Sequence, residues 1–348
     1  MSSGVRGRRN AVFPSAAFIE AVPHLHPTNG IRMSTAAPNA DRSAPGALAV
    51  AFALASVYIL WGSTYLAIRF ALVSYPPFLL GAGRMFLAGL IMYVVLRARG
   101  VARPTGKQWR TLWVLSIWMV LLSNGLVNLA ETEVGSGLAA IAVASMPLFA
   151  GVFAMLRGRH PSKIEWVGLI IGFLGVLWLN AGGELSSSTL GLICLVIAPI
   201  AWAWGSIWSR DQDLPQPFMS AAGQMLTGSV WMLIAALIHG ERITQMPTLS
   251  ATGAMLYLVV AGSIFGFTAY IWLLHHVRPA LATSYAYVNP PIAVLFGALI
   301  GGEHFTAHDL GAMAVILLGV VIITLAKARA AKPAAPAPSS ASTSEPAA

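Results

Sequence analysis

The sequence predicts an all-α integral membrane protein with ten transmembrane helices in two inverted five-helix repeats. Three observations carry this. First, 57% of the 348 residues are hydrophobic and 9% are charged, whereas a soluble domain carries roughly a quarter charged residues; mean hydropathy is +0.73. Second, ten apolar stretches follow one another, each close to the roughly 20 residues that cross about 30 Å of hydrocarbon. Third, landmarks recur at a single offset. Trp61-Gly62-Ser63 returns as Trp204-Gly205-Ser206, Pro147 as Pro290 and Gly168 as Gly311, each 143 residues on.

In order, the spans are expected at 46–68, 77–96, 108–130, 134–156 and 163–180, then at 188–208, 218–238, 251–274, 279–300 and 308–326. The stretches at 163–180 and 308–326 are the shortest and leave little room for tilt. The first and sixth hold the repeated Trp-Gly-Ser. The second holds Arg84, and the third holds Asn124 and Asn128 one turn apart. Pro147 lies in the fourth, and Gly168 with Gly172 in the fifth. The sixth carries the single cysteine, Cys194, which excludes an intramolecular disulfide and suits apolar packing. Tyr270 is in the eighth, and Tyr285, Asn289, Pro290 and Pro291 are in the ninth.

Charge sets the orientation. Arg97, Arg99, Arg103, Lys107 and Arg110 follow the second span, and Arg157, Arg159 and Lys163 follow the fourth. Arg210 and Arg278 follow the sixth and eighth, and Lys327, Arg329 and Lys332 follow the tenth. With Arg6, Arg8, Arg9, Arg32 and Arg42 ahead of the first span, 18 of the 21 Lys and Arg residues fall on one side. Loops rich in Lys and Arg stay cytoplasmic, so both termini are expected inside. The opposite loops carry Glu131, Glu133, Glu184, Glu241 and Glu303.

An odd number of helices per half turns the second copy upside down, the plan used by secondary carriers around a central site. The expected division is a tail at 1–45, one repeat at 46–181, a second at 188–327 and a tail at 328–348. The tails are Ala-, Pro- and Ser-rich and read as disordered. Met33 offers an alternative start. The basic pI, near 10.1, follows from scarce acids and the inside-positive pattern, and implies no nucleic-acid partner.

Arg84 is the costliest residue, since an Arg at a helix centre costs about 2.5–3.5 kcal/mol in the bilayer. It suits an anionic substrate group, or a structural pair with a carboxylate such as Glu131. Arg69, at the outer end of the first span, is expected to snorkel. Asn124 and Asn128 share a face, as do Tyr285 and Asn289. These four, with Trp61, Trp204, Tyr270 and Arg84, are the candidate substrate-binding residues; helix-to-helix bonding is the alternative for the polar ones. Pro290 and Pro291 lack donors, so the ninth span is expected either to break and leave carbonyls near Ala286 and Tyr287 free, or to kink with those groups satisfied by neighbouring side chains. Glu131 and Glu133 suit helix capping or solvation, or proton coupling if buried. His275 and His276 suit interfacial anchoring, or titration near neutral pH. The pairs Gly168/Gly172 and Gly297/Gly301 would pack helices within the chain or between two copies in a homodimer.

Leu60-Trp61-Gly62-Ser63-Thr64, Arg84-Met85-Phe86, Ser136 through Ala140 leading to Pro147-Leu148, and Tyr285 through Pro291 followed by Gly302-Glu303 together resemble the EamA family of the drug/metabolite transporter superfamily. The likeness spans residues 46 to 326. It implies a ten-helix inner-membrane carrier that exports amino acids, other metabolites or toxic compounds. The partners implied are a small-molecule substrate and membrane lipid. No cofactor is suggested. A Gly-rich phosphate loop ending in Gly-Lys-Ser or Gly-Lys-Thr does not occur, so ATP hydrolysis by this chain is not expected and no ATPase subunit is required. No span offers a nucleophile with a base or a metal-ligand set, which argues against a membrane enzyme. A passive channel or facilitator is the nearer alternative, although no charged ring or carbonyl filter is visible.

Overall fold

The computed structural model describes residues 47–158, 162–181, 188–277, 281 and 284–330. The expected tail at 1–45 and residues 331–348 of the tail expected at 328–348 lie outside the described residues, while 328–330 belong to the last helix instead. All regular structure among the described residues is helical. The helices are α1 (Ala47–Leu72), α2 (Pro77–Ala98), α3 (Gly106–Ala130), α4 (Ser136–Leu156), α5 (Lys163–Asn180), α6 (Thr189–Ser209), α7 (Pro217–His239), α8 (Leu249–Leu274), α9 (Tyr285–Leu299) and α10 (Ala307–Ala330). Among the described residues, eight are long and apolar enough to cross a membrane: α1 to α4, α6 to α8 and α10. At 15 residues, α9 rises about 22 Å, short of a full crossing. Part of its expected start, at 279–280 and 282–283, falls outside the described residues. The last helix runs on to Ala330.

The helix starts follow local chemistry. Thr105 with Gln108 and Ser162 with Glu165 form reciprocal capping boxes at α3 and α5, each satisfying orphan donors of a first turn. Ser188 and Thr248 cap α6 and α8. Pro77 and Pro217 open α2 and α7, where a missing N–H costs nothing. Gly240 ends α7 at φ 73°, a left-handed conformation that glycine reaches without strain.

Four helices are irregular. Within α1, Ser63 bonds its own hydroxyl to the Ile59 carbonyl at 2.7 Å and meets the Tyr257 hydroxyl at 2.6 Å, which loosens the ladder. In α4 a turn at 144–145 precedes Pro147, whose ring nitrogen cannot donate. Both α3 and α8 widen into π-helix, at Ile117–Gly125 and Leu258–Phe265. The expected break at Pro290 and Pro291 does not occur. Both prolines sit inside a continuous α9, because their fixed φ is helical and only two donors are lost.

The main core joins Leu138, Ile141 and Leu148 of α4 to Cys194, Leu195 and Ala198 of α6 and to Ile316 and Val320 of α10. The tightest helix pairs are α5 with α10 and α2 with α7. At the first, a methyl group added to Gly319 would stand 2.5 Å from the Gly172 nitrogen, and one on Gly168 would stand 2.9 Å from the Gly319 carbonyl. The Gly168/Gly172 face is therefore used inside the chain. So is that of Gly297 and Gly301, which abuts Glu303 and Leu66. Large apolar side chains point outward all round, among them Leu90, Val94, Ile170, Leu177, Leu233 and Leu325. A surface this apolar belongs in lipid, and the chain is a multi-pass membrane protein.

Candidate functional site

One cavity of about 180 Å³ opens between the helices. Its walls come from α1 to α4 and from α6 to α9, while α5 and α10 contribute nothing to the lining. Six of the eight residues singled out in the sequence lie on it: Trp61, Arg84, Asn124, Asn128, Tyr285 and Asn289. The other two stand back. Trp204 packs its ring on Phe153 and Trp118, with centroids 5.3 and 6.4 Å away. Tyr270 lies behind the wall, its ring 5.2 Å from Trp61 and 5.4 Å from Tyr285. It is Trp202 that reaches the cavity from α6.

Arg84 is the one charged side chain among the lining residues described. It is 7% exposed, and its Nε donates to Ser263 Oγ at 3.0 Å. Glu131 interacts with it electrostatically but forms no salt bridge with it within 4.0 Å among the described residues. A buried guanidinium carries five donors, so most of its hydrogen-bonding capacity remains for another acceptor.

The amides divide by role. Asn128 donates to the Pro77 carbonyl at 3.1 Å, tying α3 to the start of α2. Asn124 donates to the Met119 carbonyl at 2.7 Å, inside the π-helical stretch. The Asn289 side-chain oxygen has no partner among the described residues although the residue is buried. Trp61 donates to the Gly262 carbonyl at 3.0 Å, and Tyr285 meets its ring edge-on at 4.8 Å. Both π-helical stretches reach the site, Met119 to Asn124 from one and Gly262 with Ser263 from the other. Such widened turns gather at functional sites. Ser263, Gln224 and Trp202 were not anticipated, because nothing in their spacing marks them.

Next to this site Glu303 closes the start of α4. It accepts from Ser136 N at 2.8 Å, Ser136 Oγ at 2.7 Å, Gly137 N at 3.0 Å and Arg69 Nη1 at 3.1 Å. Arg69 therefore holds a carboxylate and is not merely snorkelling. Glu241 caps α2 in the same manner, through Phe78 N and Leu79 N. Glu133 is exposed. Glu131 departs from the expectation of capping or solvation: it is 4% exposed, and neither carboxyl oxygen has a hydrogen-bond partner among the described residues. His276 is exposed and stacks on Trp272 at 4.2 Å; the His275 side chain lies outside the described residues.

Compared with known proteins, residues 47–181 and 189–325 match the model described as the EamA-like transporter family. The chain is 41% identical over 276 residues to the inner membrane transporter YedA of Escherichia coli (strain K12), covering 79% of this chain and 90% of that protein. It is 22% identical over 280 residues to the transporter YoaV of Bacillus subtilis (strain 168), covering 79% and 94%. A solved crystal structure covers 80% of this chain and 98% of its own at a TM-score of 0.56 and 19% identity, a likeness of fold.

Proposed function

The chain belongs to the EamA-like transporter family, and on that premise we propose a secondary carrier that exports small metabolites, amino acids or related compounds, across the inner membrane by alternating access. The carrying observation is the cavity with Arg84 as the single charged lining residue among the described residues. A guanidinium there selects a carboxylate or another anionic group. Trp61, Trp202 and Tyr285 give a planar body something to stack on, and a gradient drives the cycle without an ATPase subunit.

The same reading has ten spans in two inverted repeats, at 46–181 and 188–327, with both termini cytoplasmic. Several features support it. The tightest pairs, α2 with α7 and α5 with α10, each join equivalent helices of the two halves. The π-helical stretches sit in α3 and α8, which are also equivalent. Each half lends four helices to the cavity, so rocking one half against the other would open it to either face.

Counterflow in proteoliposomes tests this. Purified protein should show saturable counterflow of members of a panel of aromatic and aliphatic carboxylates and amino acids. Arg84→Ala should lower it about tenfold or more, the worth of a charge-assisted hydrogen bond, and should affect cations less. Linear, unsaturable flux without counterflow would make the protein a channel and overturn the carrier reading.

A further inference from the structure

Two carboxylates outside the cavity lining interact electrostatically, and their surroundings differ sharply. Glu303 accepts hydrogen bonds from four donors, one of them the Arg69 guanidinium. Glu131 follows Ala130, the last residue of α3, just past the end of that span. It is one turn beyond Val127 and Asn128, which line the cavity. It is buried, and neither of its oxygens has a hydrogen-bond partner among the described residues.

The charged and titratable groups facing Glu131 come from several elements. Tyr65 and Arg69 belong to α1, Arg84 to α2 and Glu303 to the turn between α9 and α10. From α6, packed on the last turn of α3, the one titratable side chain is Cys194. The first turns of α4 present none. Burial and the neighbouring Glu303 push the Glu131 carboxyl well above the ordinary range, while Arg69 and Arg84 pull the other way. Arg69 is already committed to Glu303, which leaves Arg84 as the positive charge whose neutralisation would change what Glu131 experiences.

We propose that Glu131 is the proton-binding site of this carrier, taking up a proton when an organic anion neutralises Arg84 and giving it up when that anion leaves. With Arg84 unoccupied, its charge stabilises the Glu131 carboxylate. An anion on Arg84 cancels that stabilisation, and the buried carboxylate then takes a proton from water on the open face. One O–H bond forms on Glu131 and is broken again on release to the other face. Linkage makes the effect reciprocal, so protonated Glu131 tightens anion binding. Proton and monoanion cross together, so export requires an outward anion gradient larger than the inward proton gradient, and the loaded step moves no net charge relative to the empty one. The transport part rests on the carrier reading above; proton binding and its dependence on Arg84 do not.

The test needs no substrate. Dicyclohexylcarbodiimide modifies protonated carboxyl groups in apolar surroundings. Purified full-length protein is treated between about pH 6 and pH 9, and the adducts are mapped by peptide mass spectrometry. Glu131 should be labelled, with labelling falling about tenfold per pH unit above the Glu131 pKa. In Arg84→Gln the decline should move to higher pH, the direction expected when a nearby positive charge is lost. Arg84→Lys, which keeps the charge, should follow the parent. Labelling of Glu303 in place of Glu131, a pH-independent Glu131 profile, or identical profiles for the parent and Arg84→Gln would each overturn the proposal. Counterflow is scored separately. Its failure beside the expected labelling refutes the carrier, and a failed labelling profile beside intact counterflow refutes the proton site.

Discussion

Asn128 and Asn289 are both buried amides on the cavity wall, and their hydrogen bonds predict opposite phenotypes. Asn128 is bonded to the Pro77 carbonyl, so Asn128→Ala should lower stability by about 1–3 kcal/mol, read as an earlier thermal transition in detergent. The Asn289 oxygen has no partner among the described residues, so Asn289→Ala should leave that transition nearly in place and weaken substrate affinity in counterflow. Finding the reverse pattern would mean that Asn289 holds the helices and Asn128 faces the ligand. Much at this scale was legible in the sequence. Arg84, Asn124 and Asn289 stood out because polar groups are expensive in a bilayer. Glu131 did not, since an acid at a helix end reads as capping or solvated until neighbouring segments are seen to cover it. Trp204 drew attention as half of a repeat, yet Trp202 lines the cavity. Two residues apart on a helix is about 200° of rotation, so only one of the pair can face inward, and the sequence does not say which.

The close contact of α5 with α10 depends on glycine. Gly319→Ala should destabilise by about 1–3 kcal/mol through overpacking, because the new methyl group would stand 2.5 Å from backbone. Gly253→Ala is the matched control in α8. Nothing lies within 4 Å of its added methyl group, and exchanging a helical glycine for alanine should stabilise by up to about 1 kcal/mol. Chemical denaturation of both variants checks the contrast. Glu303→Ala removes four acceptor contacts at the start of α4 and should cost more than about 3 kcal/mol. Helix existence was legible from apolar length alone. The π-helical stretches in α3 and α8 were not, because no residue pattern encodes them. Pro290 and Pro291 suggested a break that α9 does not show, since proline's φ suits a helix and two missing donors do not unwind it.

Across the whole chain, the inverted plan predicts where soluble reporters should land. Fusions after Ala102, Gln212 and Ala330 should score cytoplasmic, and fusions at Glu133 and Gln245 should score external; one clean reversal inside this series would refute the topology. The duplicated scaffold does not duplicate the site. Arg84 in α2 has no charged counterpart in α7, where Pro217–His239 has none of Arg, Lys, Asp or Glu. Trp61 and Trp204 point to different surroundings. The offset that suggested a repeat agrees with the two stretches, 47–181 and 189–325, that match one family model. Cavity chemistry does not follow that offset, so the offset does not reveal it. The lone thiol adds a practical consequence. Cys194 is 3% exposed, in the core where α6 packs on α3 and α4. A mild thiol reagent can reach it only when those helices part, so its modification rate in the unmodified protein is a built-in clock for breathing of the core. A solute that slows the clock binds the closed form, whether or not its transport has been seen.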